Sequence, residues 1–175
     1  YPIHFPPLLS QQAGMVDITK NDMQDSKPDF TIKPCTPELA LRVGQNLRWE
    51  DRRETEETTK LTAEAATVES FYRSIYDQCV YFENLDGKAA GVAGVSPNNV
   101  IWMLCTDATS DHPIAFMKAA RRWVDNLPNP YLCNHADMRN ESHIKLLKFL
   151  GFTFIRYHVV NKVPLIEFIK LCAIP

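Results

Sequence analysis

The chain has 175 residues, 45% of them hydrophobic and 23% charged, with a formal net charge of −2 at neutral pH. That suits one globular domain with a core of its own, and the lack of a basic excess excludes a general nucleic-acid surface. The longest apolar run, 163–175, is broken by Glu167 and Lys170 and falls short of the roughly 20 residues a membrane span needs.

Residues 1–14 contain prolines but lack the charged start and apolar centre of a signal peptide. Polar residues follow to 29. The whole of 1–29 reads as a flexible or extended N-terminal arm, and 30–175 as a single domain. "FTIK" (30–33) is strand-like. "TPELALRVGQNL" (36–47) opens a helix, with Thr36 as cap, Pro37 in the first turn and an apolar face at Leu39, Val43 and Leu47. Residues 48–60, "RWEDRRETEETTK", read as a loop or frayed helix. The pattern predicts a second helix over 62–78, with Ala65, Val68, Phe71, Tyr72, Ile75 and Tyr76 as its stripe.

Three apolar runs of strand length come next, 79–85, 88–96 and 99–106, joined by Asp86-Gly87 and by "PNN". They read as an antiparallel meander, and the small residues of "AAGVAGV" suggest close backbone approach or poor packing. A third helix is expected over 112–127, with Ile114, Met117, Ala120, Val124 and Leu127 on its inner side. "YLCNHA" (131–136) is a strand by composition. It must lie parallel to 99–106, because a helix connects the two. Asn140 caps a fourth helix, "ESHIKLLKFL", with Ile144, Leu147 and Leu150 inward and Gly151 at the left-handed stop. Strands 152–160 and 164–172, turned through Asn161-Lys162, close the chain.

Five cysteines (Cys35, Cys79, Cys105, Cys133 and Cys172) are widely spaced with no CxxC. They argue against structural zinc and read as reduced core residues of an intracellular protein. No metal site is expected.

The element order, with an Asn-capped helix running into Gly-Phe, resembles the GNAT superfamily of N-acetyltransferases over residues 30–172. "VGQNLRWEDRRE", "AGVSPNNVIWMLCTD", "KAARRWV" and "ADMRNESHIKLLKFLGF" are similar to a phage-encoded group with that fold, the phage acetyltransferases or internal virion proteins of short-tailed phages. The resemblance implies an α+β (α/β) fold. Its sheet is mixed, mostly antiparallel and twisted, with a central parallel β-α-β crossover and flanking helices. It also implies an acetyl-CoA site where 99–106 parts from 131–136. The acyl-pantetheine arm would pair with backbone near Leu104, Cys105 and Thr106, and the pyrophosphate would meet the next helix start near Ser110, with Asn140 close by.

The sequence departs from that pattern twice. "TDATSDHPIAF" (106–116) has no glycine, Pro113 removes a donor, and Asp107 and Asp111 bring negative charge, although Arg121 and Arg122 follow two turns on. The position where many such enzymes carry a proton-donating tyrosine holds Leu147, leaving Tyr157 or a water as substitute. A general base is required because a free amine is protonated near pH 7. Asp51 and Glu54, on one helical face if the helix persists, and His135 are the candidates. Asp51 and Glu54 read more readily as a solvated charge network and His135 as a loop histidine, while Asn140 reads equally as a cap alone. His143 reads as facing solvent or supporting the cap. Cys105 and Cys133 read as core.

The functional expectation is a virion-associated protein on a GNAT scaffold with reduced or absent catalysis, in the virion or, before assembly, the host cytoplasm. Contacts to other virion proteins would run through the arm or a sheet edge. The alternative is an active acyl-CoA-dependent N-acetyltransferase acting on a protein or small amine.

Overall fold

The computed structural model describes residues 29–172. The expected arm lies outside them except for Asp29, whose carboxylate pairs with Arg122 at 2.7 Å. Among the described residues, seven strands form one sheet: β1 (Thr31–Pro34), β2 (Val80–Glu83), β3 (Ala89–Ser96), β4 (Val100–Cys105), β5 (Tyr131–Asp137), β6 (Thr153–Val160) and β7 (Val163–Leu171). The helices are α1 (Pro37–Gln45), α2 (Trp49–Thr59), α3 (Ala63–Arg73), α4 (Pro113–Asp125) and α5 (Glu141–Phe149). Spatial order is β1-β2-β3-β4-β5-β7-β6, with every neighbouring pair antiparallel except β4 and β5. The expected meander and the single parallel crossover are both present.

Short-range chemistry sets the turns and caps. Gly87 (φ +74°) and the Asn161-Lys162 pair (φ +50° and +68°) supply the left-handed residues of the tight turns. Thr36 and Asn140 accept from backbone N–H groups of Leu39 and His143 at 3.3 and 3.2 Å. Gly151, at φ +83°, ends α5 as its position predicts.

The helices depart from expectation in three places. Residues 49–59 form a full helix instead of a loop or a frayed one. Arg52 bonds Glu56 at 3.2 Å and the Gly44 carbonyl at 3.3 Å, fastening α2 to α1. The second predicted helix stops at Arg73 instead of 78. Ser74 turns extended, and the Ile75 N–H is captured by the Val95 carbonyl of β3 at 2.8 Å. Its buried residues are Ala63, Ala66 and Thr67, while Tyr72 and Tyr76 lie exposed. On α4 the inner face is Phe116, Ala119, Ala120, Trp123 and Val124, and Ile114 is exposed.

Two apolar layers sandwich the sheet. On one face Phe82 meets Phe116 and Trp123 edge-on at centroid distances of 6.0 and 6.2 Å, beneath α4 and α5. On the other, Val43 and Leu47 cover Tyr81 and Val92 beneath α1. The small residues of β3 serve close approach. A Cβ at Gly94 would lie 2.5 Å from Ser74 Oγ and 2.9 Å from Trp102 Nε1, where those two atoms share a 2.9 Å hydrogen bond. Gly94→Ala is expected to break that bond and destabilise the fold by about 1–3 kcal/mol. Urea unfolding followed by tryptophan fluorescence would show it, and an unchanged midpoint would mean the indole can move aside.

Candidate functional site

Strands β4 and β5 pair at Val100↔Cys133 and then part. Asn134 Nδ2 donates to the Ile101 carbonyl at 2.7 Å and spans the point of divergence. Beyond it opens a cavity of about 330 Å³. Thr55 and Thr58 of α2 line it from one face of the sheet; Leu147, Leu150 and Phe152 line it from the other. The divergence expected between these strands is therefore real, and it makes a gap through the sheet.

Strand alternation decides which backbone groups face that gap. Thr106 N–H bonds the Ala90 carbonyl on the β3 side at 2.9 Å, so residues 101, 103 and 105 turn theirs towards β5. The Ile101 carbonyl is taken by Asn134. Both groups of Cys105 are also taken: its carbonyl accepts from Arg48 N–H at 3.0 Å, and its N–H donates to Asp51 Oδ2 at 2.7 Å. Leu47 bridges Thr106 in antiparallel register, so segment 47–51 lies along the end of β4. Met103 is left with its backbone turned into the gap.

Asp51 is the centre of this arrangement. It is 3% exposed, and its Oδ1 accepts from Arg48 Nε and from Asn140 Nδ2, each at 2.9 Å. The carboxylate thus joins α2, the end of β4 and the start of α5. A charge can be buried here because every oxygen is met by a donor. Asn140, fully buried, uses its Oδ1 to cap α5 and its amide to hold Asp51. The structure brings three of the candidates, Asp51, Asn140 and Cys105, together and commits Asp51 to three donors.

Glu54, one turn further along α2, also faces the cavity. Its Oε1 accepts from Asp137 N–H at 3.0 Å, and its Oε2 lies 3.7 Å from His143 Nδ1. His143 was expected at the solvent or in support of the cap, yet it lines the cavity. It follows the cap by three residues, which places it on the same side of α5 as Asn140, and that spacing was the available signal. Burial would lower its pKa, but the Glu54 and Asp51 carboxylates outweigh burial and hold it above the ordinary histidine value. The sign follows from that direction. A raised folded pKa stabilises fully below the unfolded value, about 6.5, and the contribution fades as pH rises through the folded value. Urea midpoints measured at rising pH are expected to fall through this window, and Glu54→Gln to flatten the fall. A pH profile shared by both proteins would assign the effect to another group.

His135 stands exposed at the cavity rim, with its ring edge-on to His158 at 4.7 Å. Burial and then the neighbouring His158 push its pKa down. Leu104 lines the cavity; Thr106 is buried outside the lining, its hydroxyl donating to the Ala89 carbonyl of β3 at 2.6 Å. Ser110 lies outside the cavity lining and is exposed on a 3₁₀ turn, Asp107–Asp111. Contacts from the β2–β3 hairpin pin that turn, among them Lys88 Nζ to Asp111 Oδ2 at 3.0 Å, His112 Nε2 to Asp86 Oδ2 at 3.0 Å and Asn84 Nδ2 to the Ala108 carbonyl at 3.2 Å. Of the two arginines beyond it, Arg121 stacks on Phe149 at 4.0 Å, while Arg122 holds Asp29. Cys105 is core, its thiol pushed up to about 12 by burial, and Cys133 is half-buried, pushed up by burial and by Glu167.

Among the described residues, no three or more His, Cys, Asp or Glu side chains converge to hold a metal ion, and no helix is long and apolar enough to cross a membrane. No family model matches the chain, and no curated protein matches it in sequence. Solved structures do match. A GNAT-family acetyltransferase from Streptococcus pneumoniae superposes with a TM-score of 0.53 at 16% identity, over 83% of this chain and all (100%) of the other. A spermidine N-acetyltransferase from Vibrio cholerae, in complex with CoA and spermine, gives 0.60 at 10% identity over 82% and 95%. A GNAT-family acetyltransferase from Bacillus anthracis gives 0.58 at 8% identity over the same shares, 82% and 95%. The chain has the fold of these GNAT-family acetyltransferases: a mixed, mostly antiparallel sheet parted at one parallel pair.

Proposed function

We propose that this chain is a GNAT scaffold on which acyl-CoA-dependent catalysis is reduced or absent, and that it acts as a virion-associated protein. The observation that carries the first half is the Asp51 carboxylate. An acyl-pantetheine arm recognised by strand pairing would use the open backbone groups of β4. Here Asp51 and Arg48 already hold those of Cys105, which leaves Met103 alone. The pyrophosphate fits no better. Its turn carries Asp107 and Asp111, lacks glycine, and is pinned by Lys88. Asp111 is paired with Lys88, but a carboxylate such as Asp107 near a dianion costs about 1 kcal/mol or more at surface-like dielectric. Leu147, a wall of the cavity, has no proton to give.

Calorimetric titration with acetyl-CoA, beside CoA and acetyl-pantetheine, tests this half. No heat, and no thermal stabilisation at millimolar ligand, is expected. Micromolar binding, about −8 kcal/mol, would overturn it. The virion role rests on the four phage-like sequence blocks, with contact to other virion proteins through residues 1–29 or a sheet edge. The expected result is retention of the chain in purified particles; its absence from them would remove that role.

A second reading is an active acyl-CoA-dependent N-acetyltransferase for a protein or small amine. The cavity at the strand divergence favours it, together with Glu54 and His143, which stand on its wall where they can hold a proton. Micromolar acetyl-CoA binding would select this reading.

A further inference from the structure

Cys35 and Cys79 are placed as a pair. The Cys35 N–H donates to the Cys79 carbonyl at 3.0 Å, continuing the β1–β2 ladder one residue beyond the Pro34↔Val80 pair. Hydrogen-bonded opposed residues of an antiparallel ladder have their Cα atoms about 5.5 Å apart with both side chains on one face, within the Cα separation a disulfide spans. Both thiols are free; Cys79 is buried and Cys35 half-buried. Cys35 packs against the apolar cluster in which Cys79 is buried. The pairing of the two thiols pushes the Cys35 pKa up and that of Cys79 down, the latter aided by Ser74. The other three cysteines have no such neighbour: each has its pKa raised, with burial as the main cause.

We propose that Cys35 and Cys79 form a peroxide-sensitive dithiol that closes to a disulfide at the base of the helical layer. The Cys79 thiolate attacks one oxygen of hydrogen peroxide, breaks the O–O bond and releases hydroxide, leaving a sulfenic acid. The Cys35 sulfur then attacks the Cys79 sulfur. The S–S bond forms, the S–O bond breaks, and the Cys35 proton leaves with the departing hydroxyl as water. Two thiols give up two electrons, and one peroxide becomes two waters. Glutathione or another thiol reverses the step by exchange.

The position gives the bond a consequence. All of α1, α2 and α3 lie between residues 35 and 79, so the disulfide would tie together both ends of the segment that carries Asp51 and Glu54. A cross-link that closes so long a loop restricts the unfolded chain most.

The purified full chain is dosed with hydrogen peroxide, quenched by alkylation and mapped by mass spectrometry. The expected result is loss of two of the five thiols, with one cross-linked peptide joining Cys35 to Cys79. Dithiothreitol should restore both thiols, and the melting temperature should rise on oxidation and return on reduction. Cys35→Ser should leave Cys79 as a dimedone-reactive sulfenic acid. Oxidation of Cys133 or Cys172 first, with Cys35 and Cys79 still alkylatable, would overturn the proposal. That comparison needs only the wild-type chain, so it stands even if a variant fails to fold.

Discussion

Asp51→Ala is expected to cost about 3–5 kcal/mol of folding stability, because it removes one side of a buried, fully bonded charge cluster. Three donors lose their acceptor together: Arg48 Nε, the Asn140 amide and the Cys105 N–H. The Arg48 side chain, itself only 14% exposed, would be left with a buried charge. Asp51→Asn keeps the volume and one acceptor oxygen and should cost less. Urea unfolding of the two variants beside the wild type measures the difference. A loss for Asp51→Ala below about 1 kcal/mol, the worth of a surface ion pair, would show that α2 moves off β4 easily. The reading of a strand end already held by the chain's own carboxylate would then fail with it.

Phe82→Ala is expected to cost a comparable amount, about 3–5 kcal/mol, for a different reason. Phe82 is fully buried at the middle of the β2–β3 ladder and stands edge-on to both Phe116 and Trp123. Its loss opens a void beneath α4 that a rigid sheet cannot collapse to fill. The loss should appear as a lower urea midpoint with an unchanged slope. A cost near that of an exposed substitution would mean that α4 closes onto the sheet.

Most of the fold was legible in the sequence because its signals are local. Asp86-Gly87, Asn161-Lys162 and Gly151 each demand a left-handed residue where one is found. Thr36 and Asn140 cap the helices they precede, and the helix between two apolar runs forces β4 and β5 to run parallel. What was not legible depends on tertiary partners. The charged run 48–60 reads as solvated because nothing in its spacing shows that Asp51 will meet a strand end, a helix cap and an arginine together. The helix from 62 stops early because β3 offers Ile75 a carbonyl, which no propensity encodes. The site was legible in part. The Asn140 cap followed from the pattern and the strand divergence from the resemblance, whereas His143 and Asn134 needed the cavity to reveal them. The placing of Ser110 on a 3₁₀ turn, pinned from the neighbouring hairpin and outside the cavity lining, also needed the tertiary structure.

The single pairing between β4 and β5 has a mechanical meaning. The sheet is two leaves, one of four strands and one of three, and each has a continuous ladder of its own. Across the seam the backbone is joined at Val100↔Cys133, with the Asn134 side chain beside it. At the open end Asp51 acts as a clasp. Pulling the leaves apart breaks few backbone hydrogen bonds, so this is where partial opening costs least. The molecule is thus stiff within each leaf and compliant between them, with the buried Asp51 carboxylate as a clasp at the free end of the hinge.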